Sequence, residues 1–356
     1  MTTSFARNVP LADYTTLGLG GPAARFCSVA STDELIATVR DVDRSGDPLL
    51  VLGGGSNLVV ADEGFAGTVI QVDSSDLSYT EVDDTVVRVR VDAGMEWDSF
   101  VARCVDEGLS GVEALSGIPG RVGATPIQNV GAYGQDISQT VVEVTVYDRA
   151  ADRTRVLSAA ECGFAYRTSI FKGRDRYVVC DVVFELTRSK LSRPIRYAEL
   201  ARSLGVSQGD QVPLADVRDA VLSLRRSKGM VLDPADPDTR SAGSFFTNPI
   251  LSADEFARFT QRVAEVLGPE VTPPAYPDGD GRVKTSAAWL IERAGFPKGY
   301  GTGPVGISTK HTLALTNRGG ATTADLLALA REVRAGVARV FGITLVNEPV
   351  MIGVTL

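Results

Sequence analysis

Apolar and polar positions alternate with two different periods along this chain, and the switches between them mark its elements. Val87, Val89 and Val91 alternate with Arg88, Arg90 and Asp92, the two-residue period of a strand with one buried face. Trp97, Phe100, Val101, Cys104 and Val105 then recur at helical spacing as far as Gly108. Strands are also expected at 69–72, at 140–148 through Val142, Val144 and Val146, over 177–186, and in shorter form at 313–316 and 343–346. Leu35, Ile36 and Val39 form a helical face behind a Ser31 to Glu34 cap. Leu214, Val217, Val221 and Leu224 form another, and Phe256, Phe259, Val263 and Leu267 a third behind Ser252. Further helices are read at 194–204, 286–294 and 325–340, and Ser158 with Glu161 has the spacing of one more helix start.

Two stretches break these periods. Residues 49–60, LLVLGGGSNLVV, run from a strand into three glycines. Without Cβ atoms, Gly53, Gly54 and Gly55 let backbone N–H groups converge on an anion, and Ser56 and Asn57 add side-chain donors. Alone, this would equally describe a glycine-rich hairpin. The second stretch, SGIPGRVGATPIQNVGAYG at 116–134, has little to bury and no period, the mark of a functional loop. Two such cradles on an α/β scaffold suggest a large dinucleotide cofactor. Residues 18–23 formally match G-x-G-x-x-A, but polar residues precede them and Pro22 lies inside the match. With that fingerprint rejected, FAD is expected rather than NAD.

Composition narrows the partners. A chain of 356 residues is long enough for two or three domains, and DPADPD at 233–238 reads as a boundary. A net charge of −8 argues against nucleic acid, although Arg225, Arg226 and Lys228 concentrate positive charge where a small anion could dock. No apolar run approaches the roughly 18 residues of a membrane span, and the first residues lack a secretory h-region, so a cytoplasmic protein is expected. The four cysteines form no CxxC pair and His311 is the sole histidine, which supports neither a zinc site nor a disulfide framework.

LGGGSN at 52–57, the 116–134 block, YRTSIFK at 166–172, GSFFTNP at 243–249 and the late Glu348, taken together and in this order, resemble the UDP-N-acetylenolpyruvoylglucosamine reductase family of bacterial peptidoglycan synthesis. Tyr197, in a segment near 190–212, is similar to the tyrosine loop of the family's first structural type. The resemblance implies an α+β fold: a two-part FAD module of the vanillyl-alcohol-oxidase type and a smaller α/β substrate domain. The implied division is 1–78, rejoined by 343–356, then 79–224, then 225–342. It implies non-covalent FAD, with NADPH and a UDP-sugar enolpyruvyl ether as small-molecule substrates. FAD would be held by Gly53 through Asn57, by Ser116, Gly117, Ile118, Gly120, Gly123, Ala124, Asn129, Gly131 and Ala132, and by Arg167 and Arg225. Tyr197, Lys228, Asn248, Tyr276 and Lys284 would hold the sugar nucleotide. Arg167, Ser244 and Glu348 would form the reaction centre. Val350 stands where the family often has a basic residue. Two other readings share the motifs: an oxidase on the same flavin module, and a flavin- or nucleotide-binding regulator without turnover.

Overall fold

The computed structural model describes residues 4–356. Its packing resolves two units, each assembled from separate stretches of chain. The first comprises residues up to Pro10, Pro22–Gly55 and Phe65–Val231; the second comprises Leu11–Gly21, Ser56–Gly64 and Leu232–Leu356. The expected division at 78, 224 and 342 does not describe this grouping. The tail from 343 does return to the early chain, with Val350–Ile352 running parallel to Leu58–Val60, but both strands lie in the second unit.

In the first unit, Leu49–Leu52, Phe65–Val72 and Pro22–Val29 are parallel neighbours, and Ala6–Pro10 adds an antiparallel edge. Helix Thr32–Ser45 buries Leu35, Val39 and Val42, and it stops where Gly46 turns left-handed. An antiparallel sheet runs in the order Arg153–Ser158, Val141–Asp148, Tyr177–Arg188, Val86–Asp92, Leu77–Glu81. The alternation read in the fourth of these is physical: Val87, Val89 and Val91 are fully buried, whereas Arg88 and Arg90 face out to Glu185 and Asp181. Helix Trp97–Asp106 lies on this core through Trp97 and Phe100, whose rings meet Phe184 at 5.8 and 5.0 Å. Helices Ala198–Leu204 and Leu214–Ser227 share a smaller core around Ile195, Leu200, Val217 and Val221.

The second unit is organised by helix Thr323–Phe341, opened by a reciprocal Thr322–Asp325 capping box. It packs with Ala253–Leu267 and Ala287–Arg293 around the rings of Phe259, Trp289 and Phe341. Leu17, Leu19 and Val59 enter the same core from the early chain. Ile250–Leu251, Val283–Lys284 and Tyr276–Pro277 make a small antiparallel sheet. The cysteines are all unpaired and buried, and burial pushes the Cys162 and Cys180 thiols up to about 12.

Two expected elements are absent. Ser158 and Glu161 do exchange hydrogen bonds, but no helix follows; Gly163, at φ 57°, turns the chain instead. Residues 343–346 alternate as a strand should, with Ile343 and Leu345 buried and Thr344 and Val346 exposed, yet they belong to no sheet.

Candidate active site

In the first unit the two glycine-rich stretches meet. A Cβ placed on Gly54 would stand 2.8 Å from the Gly120 Cα, so the two backbones cross where only hydrogen fits. Gly53 faces the Arg121 and Ala124 side chains at 3.5 and 3.7 Å. Gly123 is forced by the Ala93 Cβ, 2.4 Å from where its own would be. Gly55, Gly117 and Gly120 have φ of 59°, 72° and 121°. Gly53, Gly123 and Ala124 line a cavity of about 100 Å³ with Val51, Ile127 and Val179.

The loop is held from three sides. Asp98, at the start of its helix, accepts the Gly117 N–H at 2.5 Å and both arms of Arg218 at 2.7 and 2.9 Å. Burial works against the Asp98 charge, but the Arg218 guanidinium and the Gly117 N–H outweigh it and hold the carboxyl below its ordinary range. Asn129 donates to the Ala165 carbonyl and accepts the Ser138 N–H, so its buried amide is used within the protein. Ser116 likewise turns inward, donating to the Glu113 carbonyl. Arg167 sits at φ 52°, a conformation uncommon for a side chain of its size, and its Nη2 donates to the Gly131 carbonyl at 2.7 Å. Ile118 and Ala132 are half-buried beside these anchors.

Arg225 lies beneath the loop, its Nε 3.4 Å from where a Gly117 Cβ would be. That Nε is sealed from solvent and has no hydrogen-bond partner, while Nη2 donates to the Met230 carbonyl. Burial pulls the guanidinium down to about 10, still charged at neutral pH. A sealed cation with an unused donor beside bare glycine backbone suits an anionic, flat-ringed group such as FAD. The residues present therefore fit the expected cofactor.

Beyond the loop, Lys228 is 2.6 Å from Glu199 and 5.6 Å from the Tyr133 ring centroid, and Tyr197 meets that ring edge-on at 5.6 Å. Tyr133 and Glu199 were not singled out in the sequence. Tyr133 lies within GAYG, with φ 49°, and burial pushes its hydroxyl up to about 12.

The remaining expected residues lie in the second unit. Lys284 is cross-strand partner to both Tyr276 and Ile250, so Tyr276, Lys284 and the approach to Asn248 share one small sheet. The Asn248 side-chain oxygen accepts the Ala287 N–H, fixing the start of a helix. The segments that carry Ser244 and Glu348 pair through the backbone: the Glu348 N–H donates to the Phe245 carbonyl at 2.9 Å, and Phe246 bridges Asn347. Asn57 braces the same turn, accepting the Val350 N–H at 2.9 Å and offering its amide to the Glu348 carbonyl at 3.5 Å. Ser56 belongs to this unit as well.

Comparison with known proteins covers both halves of the chain. The model of an FAD binding domain matches residues 23–157, and that of the UDP-N-acetylenolpyruvoylglucosamine reductase C-terminal domain matches 234–352. The reductase of Streptomyces coelicolor is 60% identical over 98% of this chain and 90% of its own length. That of Mycolicibacterium smegmatis is 48% identical over 99% and 96%. The crystal structure of the Thermus caldophilus reductase superposes with a TM-score of 0.66 at 25% identity, covering 99% of this chain and all of that one. Identity of this extent over the full length, with the glycine crossing and the Ser244–Glu348 turn in their motifs, makes the chain a member of the UDP-N-acetylenolpyruvoylglucosamine reductase family.

Proposed function

We propose that this protein reduces the enolpyruvyl ether of UDP-N-acetylglucosamine to UDP-N-acetylmuramate, with FAD as bound cofactor and NADPH as reductant, in cytoplasmic synthesis of peptidoglycan precursors. The observation that carries the reading is the Gly54–Gly120 crossing together with the unpartnered Arg225 Nε beside Gly117, in a chain of this family. No helix among the described residues is long and apolar enough to cross a membrane, which suits a site for water-soluble nucleotides.

FAD, held by the glycine-rich residues and Arg225, would supply the two-electron chemistry that links NADPH to the terminal vinyl carbon of the substrate. Ser244 then donates its hydroxyl proton to the carbon bearing the ether oxygen, completing the C–H bond there, and regains a proton from solvent. Negative charge gathers beside the substrate carboxylate before that transfer. The planar guanidinium of Arg167 and a protonated or hydrogen-bonding Glu348 stabilise it without reorganising. Arg167 is suited to this because its backbone turn and its bond to Gly131 fix the guanidinium in advance. Lys228 and Lys284 meet the diphosphate as point charges, and Tyr197, Asn248 and Tyr276 orient the nucleotide and sugar.

Stopped-flow absorbance on the two half-reactions tests the assignment. Ser244→Ala should bleach with NADPH at close to the native rate, and its reoxidation by the enolpyruvyl substrate should slow by about 10²–10⁴-fold. Equal slowing of both halves, or none in the second, overturns the proton-donor role.

A further inference from the structure

Lys228 is already engaged. Its ammonium lies 2.6 Å from the Glu199 carboxylate and over the face of Tyr133, and the two charged side chains are 31% and 37% exposed. Glu199 is in the first turn of helix Ala198–Leu204, two residues after Tyr197, and Lys228 closes helix Leu214–Ser227. Arg225 is the other cation near Tyr133, and Glu199 is the carboxylate acting on that ring. An incoming phosphoryl oxygen therefore meets a neutralised lysine with a negative neighbour.

We propose that Glu199 is an internal counter-ion that the substrate diphosphate displaces from Lys228, so that this carboxylate sets the affinity and the anion selectivity of the nucleotide site. The inference rests on the assignment of Lys228 to the diphosphate. A group carrying two negative charges gains more from the lysine than a single carboxylate does, so exchange favours the diphosphate. A ligand with one weak negative charge, or none, gains nothing by the exchange. The partly exposed pair is weak enough to be exchanged and strong enough to register in binding.

Calorimetric titration of the oxidised holoenzyme with UDP and with uridine tests this, using Glu199→Gln, Lys228→Ala and the double variant. Removing the counter-ion should tighten UDP about two- to fivefold, the upper range of a partly exposed ion pair. Uridine binding should not change, and the gain for UDP should vanish when Lys228 is alanine. Flavin absorbance and melting temperature report whether each variant keeps its fold and cofactor. UDP affinity that is unchanged or weaker in Glu199→Gln, while Lys228→Ala weakens it, overturns the counter-ion role and leaves the lysine assignment standing. UDP binding indifferent to Lys228→Ala overturns that assignment and the exchange together. An equal gain in the alanine background shows a general field effect and also refutes exchange at Lys228.

Discussion

Gly53 and Gly54 are neighbours with different duties, and substitution separates them. At Gly54 a methyl group collides with the Gly120 backbone, which has no side-chain freedom with which to yield. Gly54→Ala should therefore lower the melting temperature of flavin-free protein, by the equivalent of about 1–3 kcal/mol for an overpacked site. At Gly53 the nearest atoms are side-chain carbons at ordinary contact distance, on the wall of the glycine-lined cavity. Gly53→Ala should melt like the parent without flavin but carry less FAD, read from the ratio of flavin to protein absorbance. Parent-like flavin content there would remove Gly53 from the cradle. The glycines were legible as breaks in the pattern because their spacing matched no strand or helix. Their mutual contact was not, since no local pattern encodes a crossing between residues so far apart in sequence.

At the scale of elements, the loop at 116–134 has only a short helical turn at Val122–Ala124 and the two-residue strand Gly131–Ala132 of its own, and it borrows rigidity from two helices through Asp98. A carboxyl held below its ordinary range stabilises the fold above its unfolded pKa, about 3.9, and that contribution is lost as pH falls through the lower folded value. FAD release on acidification should thus begin below about pH 4 in the parent. Asp98→Asn, lacking the charge, should release FAD faster at neutral pH and show a flatter acid limb, both followed by flavin fluorescence. Parent-like release in that variant would leave Asp98 with no hold on the loop. The helices and long strands could be read from periodicity because burial enforces it, as at Val87, Val89 and Val91. The Ser158–Glu161 motif misled because a capping box stabilises only the first turn, and Gly163 ends the chain's helical path at once. Residues 343–346 misled in the opposite way. Their alternation reflects true burial of Ile343 and Leu345, but a sheet needs a neighbour, and the partner of Leu58–Val60 begins at Val350. Tyr133 and Glu199 escaped notice because their roles come from packing against Lys228 rather than from any spacing in the sequence.

The whole chain threads between its units more than once, and sequence composition marked only the last crossing, near DPADPD. Residues 232–356 lack Leu17, Leu19 and Val59, which are buried in the same core, and they lack the strand that pairs with Val350–Ile352. Expressed alone, this fragment should show no cooperative thermal transition by circular dichroism. A sharp melt would mean that the early segments are dispensable. The braced turn at Glu348 sets a schedule as well as a geometry. Its partner Asn57 lies 291 residues earlier, so at about 5–20 residues per second a ribosome needs roughly 15–60 s to deliver the second half of that contact. Throughout that interval Leu58–Val60 is an unpaired apolar edge on a nascent chain, and the second unit can close only after Val350–Ile352 has been synthesised.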